Sequence, residues 1–276
     1  MSTYREILMT AKEYLKQHEI ADADVDAWYL LTHVFRINRA DYYLHCDGKV
    51  SESQVETYMQ LVQQRAQHIP LQYITGTQEF MGLEFDVTVD VLIPRQDTEI
   101  LVEEVLKVCN QKSVLDMCTG SGCIIISLAK LGNIAKAVGV DLSEKALRIA
   151  RKNAAKHKLN VEFIQSNLFD CIEGDYDIIV SNPPYIPSEE IPYLMPEVRD
   201  HEPIMALDGD QDGLTFYRRI TSEAQKYLSR NGYLFYEIGY NQGREVKEIL
   251  EKAGFTDIKI VKDLSGLDRV VFGRRD

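Results

Sequence analysis

The chain has 276 residues, 45% apolar and 27% charged, the balance of a soluble globular protein with room for one large domain or two smaller ones. Its net charge of −12 argues against a broad basic face for nucleic acid, because neutralising phosphates takes clustered Lys and Arg; a local basic patch remains compatible with it. Five cysteines (Cys46, Cys109, Cys118, Cys123, Cys171) form no C-x-x-C pair, so neither zinc nor a disulfide framework is indicated.

The cysteines read as reduced thiols. Met1 to Glu13 lacks the apolar core of a signal peptide, and no apolar run reaches membrane-spanning length. A soluble, cytoplasmic protein is expected.

Residues 1–70 read as a bundle of three to five short helices. Tyr4, Ile7, Leu8, Ala11 and Leu15 share one helical face, as do Ala27, Leu30, Leu31 and Val34, and then Val55, Tyr58, Met59, Val62 and Ala66. Core packing accounts for these stripes without a cofactor. Pro70 ends the helical region. Residues 71–92 read as a β-hairpin linker, punctuated by Gly76 and Gly82, with Phe85, Val87, Val89 and Val91 at a period of two.

Residues 93–276 alternate strand and helix. A helix over Ile100, Leu101, Val105 and Val108 follows an Asp97/Thr98 cap. Strands are expected at Val114–Met117, Ala137–Val140, Val161–Ile164, Tyr176–Val180, Tyr233–Ile238, Ile258–Val261 and Arg269–Phe272. Helices are expected at Ile124–Lys130, Lys145–His157, Leu214–Leu228 and Arg244–Lys252. The pattern predicts an α/β fold: a mostly parallel sheet covered on both faces, with a last strand that no helix precedes.

The first sheet strand runs into Asp116-Met117-Cys118-Thr119-Gly120-Ser121-Gly122, a glycine turn that lets a ligand approach the backbone. Asp141 ends the second strand, 21 residues after Gly120, where an acid commonly takes ribose hydroxyls; its bland reading is a helix cap, a job Ser143 could do. Turn and acid together favour a nucleoside-bearing cofactor. Without a full G-x-G-x-x-G the pyrophosphate of a nicotinamide cofactor is poorly served, and S-adenosylmethionine, which has no phosphate, fits better.

Asn182-Pro183-Pro184-Tyr185 follows the buried strand Ile178–Val180, at the strand end where open α/β sheets bind ligands. Two prolines make a stiff elbow with free carbonyls, Asn182 adds an acceptor and Tyr185 a flat face. The elbow suits a planar –NH2 group. Taken alone it is also ordinary turn punctuation.

Across nearly its whole length the chain resembles the glutamine N5-methyltransferases of peptide-chain release factors, the HemK/PrmC type. The segments that carry this are Pro70-Leu71-Gln72-Tyr73-Ile74-Thr75-Gly76, Glu79-Phe80, Gly82 and Val91-Leu92-Ile93-Pro94-Arg95-Gln96-Asp97-Thr98-Glu99. After the elbow come Glu202-Pro203, Ala206-Leu207, Gly209, Asp212-Gly213-Leu214, Tyr217-Arg218, Asp263-Leu264, Gly266 and Asp268-Arg269-Val270-Val271. Two positions depart: Gln96 stands where the family usually has proline, and Cys118 where it has glycine, although cysteine takes positive φ only at a cost.

The resemblance implies a Rossmann-like class I methyltransferase domain with its last strand antiparallel. It implies S-adenosylmethionine held by Asp116, Cys118, Thr119, Gly120, Ser121, Gly122, Asp141, Leu142, Asn167, Leu168 and Asn182. Asn182, Pro183, Pro184 and Tyr185 would bind and orient the glutamine of a Gly-Gly-Gln loop, and the helical bundle would contact the release factor. No metal, membrane or direct nucleic-acid partner is implied. The alternative is an amino-methyltransferase acting on N6 of adenine in DNA or RNA, which would use the same elbow on an extruded base.

Glu202 and Arg218 read as members of structural ion pairs, as does Arg95 with Asp97 nearby. His201 reads as structural, since methylating an amide calls for no dedicated base. Ile186–Met195, with Pro187 and Pro192, reads as an ordered loop or lid over the site.

Overall fold

A computed structural model describes residues 2–276 and divides into two units. The first runs to Gly76 and takes in Met195–His201. Its α1 (Tyr4–Gln17) opens on a capping box: Thr3 Oγ1 accepts from Glu6 N, and the Glu6 carboxylate accepts from Thr3 N at 2.8 Å. Ile7, Leu8, Ala11 and Leu15 of α1 pack on α2 (Ala23–Phe35) and α4 (Glu52–Ala66), with α3 (Arg39–His45) between the latter two in sequence. Tyr58 is buried at the centre and donates its hydroxyl to Ala27 O at 2.9 Å.

This core also holds a charge cluster that hydrophobic periodicity does not show. Arg65 of α4 is buried and donates to Asp26 at 2.6 Å and to Glu197 at 2.9 Å. Burial pushes the Asp26 carboxyl up, and Arg65 offsets part of that.

Leu71–Thr75 is a one-turn helix, α5, where the sequence suggested the start of a hairpin. Pro70 supplies its N-cap and Gly76, at φ 79°, its left-handed stop. The hairpin of the second unit is shorter, β1 (Thr77–Phe80) and β2 (Leu83–Asp86), joined through Met81 and Gly82 at positive φ. Beyond it Val87 and Val91 are buried without being in a strand, because a turn at Thr88 breaks the extended run: Val91 N donates to Thr88 O.

The second unit has seven strands: β3 (Ser113–Met117), β4 (Lys136–Asp141), β5 (Glu162–Gln165), β6 (Tyr176–Ser181), β7 (Leu228–Glu237), β8 (Thr256–Lys262) and β9 (Asp268–Arg274). Their order is β5-β4-β3-β6-β7-β9-β8, parallel except for β9, which runs antiparallel to both neighbours. Alternate residues feed two cores. Val114, Ile178, Val180 and Phe235 pack with α6 (Asp97–Leu106), α7 (Cys123–Leu131) and α8 (Glu144–Lys156). Leu115, Ile179, Leu234 and Tyr236 pack with α10 (Thr215–Tyr227) and α11 (Gly243–Lys252), while α9 (Pro196–Arg199) belongs to the first unit.

α6 starts one position earlier than its expected cap. Gln96 is the N-cap and makes no side-chain cap bond, while Asp97 and Thr98 are the first helical residues. Asp97 is held by Arg269 at 3.1 Å, which removes it from capping. Gln96 has φ −61°, an angle a proline ring also adopts. Among the described residues no helix is long and apolar enough to cross a membrane.

Candidate functional site

Strand order reverses between β3 and β6, so their C-terminal ends open the crevice where such sheets take ligands. Met117 and Ser181 are register partners there. The glycine turn and the Asn182 elbow therefore leave the sheet side by side.

The turn is wired to the adjacent strand. Thr119 N donates to Val140 O at 2.9 Å, and Gly120 N donates to Asp141 Oδ2 at 2.9 Å. Asp141 Oδ1 accepts from Ser143 N at 2.8 Å, and Ser143 itself caps α8. Burial pushes the Asp141 carboxyl up while the Ser143 and Gly120 amides hold it back. Cys118 takes φ 63°, so the strained conformation expected to disfavour cysteine is the one adopted, at a cost of about 1 kcal/mol. Gly120 has φ 55°, and a Cβ built there meets nothing, which leaves the face of the turn open.

A cavity of about 370 Å³ lies over this crevice, within the range of small-molecule sites. Cys118, Gly120, Asp141, Leu142, Asn167, Leu168, Asn182 and Pro184 line it. Asp116, Thr119 and Ser121 are buried and absent from its wall. Thr119 Oγ1 donates to Asp116 Oδ2 at 2.6 Å, and complete burial pushes Asp116 up to about 7. Gly122 is also off the wall; it starts α7, and a side chain there would press on Ile126 and Ala150.

Pro183 and Tyr185 do not line the cavity either. Pro183 is buried, and no donor among the described residues bonds its carbonyl. The Tyr185 ring packs against the core beside α10 and α11, and its carbonyl accepts from Gln242 Nε2 at 2.9 Å. Asn182 Nδ2 stands 3.5 Å from Thr98 Oγ1, leaving Oδ1 uncommitted.

The rest of the wall includes residues the sequence reading gave no role in the pocket: Asp90 to Leu92, Pro203 to Ala206, Asp208, Asp210 and Phe216. None of residues 186–195 lines the cavity, so this segment is not the expected lid over it. The segment after Pro203 is clamped to the elbow through Ile186 N to Leu207 O and Gly209 N to Ile186 O, at 3.0 and 2.8 Å. Gly209 and Gly213 permit that approach; a Cβ on either would collide with the backbone at Tyr185. Those two glycines were the available signal.

Glu202 accepts from Arg95 through both oxygens, at 2.6 and 2.7 Å, and Arg218 pairs with Asp212. Both are structural pairs, although Asp97 partners Arg269 and not Arg95. His201 lies in the first unit, its ring 3.3 Å from Gln67 O.

Residues 6–76 match the family model described as the PrmC N-terminal domain, and residues 95–195 that described as the methyltransferase small domain. A release factor glutamine methyltransferase of Geobacter sulfurreducens is 42% identical over 275 residues, covering 99% of this chain and 96% of that protein. Another, of Clostridium acetobutylicum, is 41% identical over 281 residues, covering 98% of each. A solved methyltransferase from Pyrococcus furiosus superposes with a TM-score of 0.56 at 20% identity, over 71% of this chain and 90% of that one, a likeness of fold. The chain belongs to the release factor glutamine methyltransferase family.

Proposed function

We propose that this chain transfers a methyl group from S-adenosylmethionine to the side-chain amide nitrogen of the glutamine in a Gly-Gly-Gln loop of a peptide-chain release factor. The observation that carries the reading is Asn182, with its Oδ1 uncommitted, on one cavity with the glycine turn and the acid.

The residues present fit the cofactor. Asp141 brings a carboxylate to the wall with both oxygens already oriented by backbone amides, suited to a pair of ribose hydroxyls. Met117, Leu142, Leu168 and Phe216 give apolar walls for a base, and Asn167 adds a polar edge. Asp116, Thr119, Ser121 and Gly122 hold the turn from behind. When bound, S-adenosylmethionine supplies an electrophilic sulfonium methyl.

A glutamine amide is a poor nucleophile because its lone pair is delocalised into the carbonyl. Asn182 Oδ1 and the Pro183 carbonyl accept its two N–H bonds and point the nitrogen at the methyl; such placement supplies several kcal/mol of a barrier. As the N–C bond forms and the S–C bond breaks, the nitrogen gains positive character, which both acceptors stabilise. The proton then leaves to water. Pro184 and Tyr185 keep the elbow rigid, the Tyr185 ring being anchored against the core.

The helical unit contacts the release factor; Tyr43 and Leu44 of α3, both about three-quarters exposed, are apolar groups available for that. The reaction belongs in the cytoplasm, where termination occurs. Mass spectrometry of a release factor incubated with the protein and S-adenosylmethionine tests the reading. One methyl on the Gly-Gly-Gln glutamine supports it. Methylated DNA or RNA adenine with an unmodified release factor contradicts it.

A further inference from the structure

Pro183 and Pro184 have no N–H, so neither can tie itself to a neighbouring carbonyl, and the elbow has to be held from its flanks. The flank after it meets Gln242, the buried N-cap residue of α11. Oε1 of its side-chain amide accepts from Gly239 N at 3.0 Å and from the Tyr217 hydroxyl at 3.4 Å. Nε2 donates to the carbonyl of Tyr185 at 2.9 Å and to that of Gly213 at 3.4 Å. Gly239 N can only donate and the Tyr185 carbonyl can only accept, so the two ends of this amide cannot be exchanged. The other side of the strut is fixed in turn. Gln242 N donates to Gly239 O at 2.9 Å, Gln242 O accepts from Val246 N, and the Tyr217 hydroxyl also donates to Glu237 O at 2.9 Å. Gly213 lets the amide in, since a Cβ there would stand 2.7 Å from Nε2.

We propose that Gln242 is a positioning residue for methyl transfer: by gripping the Tyr185 carbonyl it sets where Asn182 Oδ1 and the Pro183 carbonyl point. Two successive proline rings fix φ at both positions, so the stretch from Asn182 to Tyr185 moves nearly as one piece. A displacement at the Tyr185 carbonyl is therefore passed back to both acceptors instead of being absorbed on the way. The grip joins the exit of β7 to the exit of β6, strands whose register runs up to Tyr236 and Ser181. It carries the alignment of the sheet past the last paired residues and into the elbow. Gln242 does not line the cavity, so its effect on the reaction runs through the elbow.

This inference rests on the acceptor role of the elbow. Its test is single-turnover methyl transfer to a release factor by Gln242→Met, Asn182→Ala and the double variant, with S-adenosylhomocysteine affinity measured by calorimetry. Gln242→Met keeps the length of the side chain and loses its hydrogen bonds. We expect it to slow transfer about tenfold or more, the scale of a misplaced reacting group, with S-adenosylhomocysteine affinity within about threefold of the wild type. In the Asn182→Ala background the same substitution should cost less than about threefold, because residues that act through one element are not additive. Should Gln242→Met fail to fold, Gln242→Asn carries the same expectation: asparagine suits a helix N-cap, and its amide is one methylene short of the Tyr185 carbonyl. A wild-type rate in Gln242→Met, an equal fractional loss in both backgrounds, or a loss matched by weaker S-adenosylhomocysteine binding overturns the positioning role alone. A wild-type rate in Asn182→Ala overturns the acceptor reading and the positioning role with it.

Discussion

Ser181, the last residue of β6, donates its hydroxyl to the Met117 carbonyl at the end of β3, at 2.6 Å and fully buried. One hydrogen bond thus ties the strand that leads into the glycine turn to the strand that leads into the elbow. Ser181→Ala removes this buried hydrogen bond, a loss of about 1 kcal/mol. Denaturant unfolding should show this loss, and methyl transfer should fall by more than the unfolded fraction explains. An unchanged midpoint contradicts the tie.

Asp141 is the charged group expected at the ribose. Asp141→Asn removes the charge and swaps one acceptor for a donor facing a backbone N–H. S-adenosylhomocysteine affinity, measured by calorimetry, should weaken about ten- to hundredfold, as for a lost charge-assisted hydrogen bond. Equal affinity contradicts the assignment.

Asp116 and Glu237 are both pushed by burial to about 7. Their unfolded values lie near 4, so between about pH 4 and 7 the folded state binds more protons than the unfolded state. Their contribution to stability is therefore complete below about pH 4 and is lost as pH rises through about 7. Thr98 and Arg269 offset part of the burial effect at Glu237. Unfolding free energies measured across this range should fall less steeply with pH in Glu237→Gln than in the wild type. Parallel profiles contradict the shift.

In the helical unit, among the described residues, Arg65 is the only ion-pair partner of the Asp26 carboxylate, and it also holds Glu197. Arg65→Ala strands a buried carboxylate, and thermal unfolding should register about 3–5 kcal/mol of lost stability. The double variant Arg65→Met with Asp26→Leu should recover most of it.

Much of this was legible in the sequence. The central strands β3, β4, β6 and β7 show as short apolar runs because helices cover both faces, and the glycine turn and Asn-Pro-Pro-Tyr stand at strand ends. Three things were not legible. Leu71–Thr75 is helical because Pro70 and Gly76 bracket one turn, a span too short for periodicity to reveal. Arg65 sits in the core because Asp26 and Glu197, distant in sequence, neutralise it. The wall formed by Pro203 to Ala206 depends on Gly209 and Gly213 lying against Tyr185, a tertiary contact that no local pattern encodes.

The account rests on Asn182 orienting a glutamine amide, and the most direct test is a single-turnover rate of methyl transfer to a release factor by Asn182→Ala, with S-adenosylhomocysteine affinity measured in parallel. Losing an acceptor that strengthens in the transition state should slow transfer by about a hundredfold or more at nearly unchanged cofactor affinity. A wild-type rate, or a loss explained wholly by weaker cofactor binding, would contradict it.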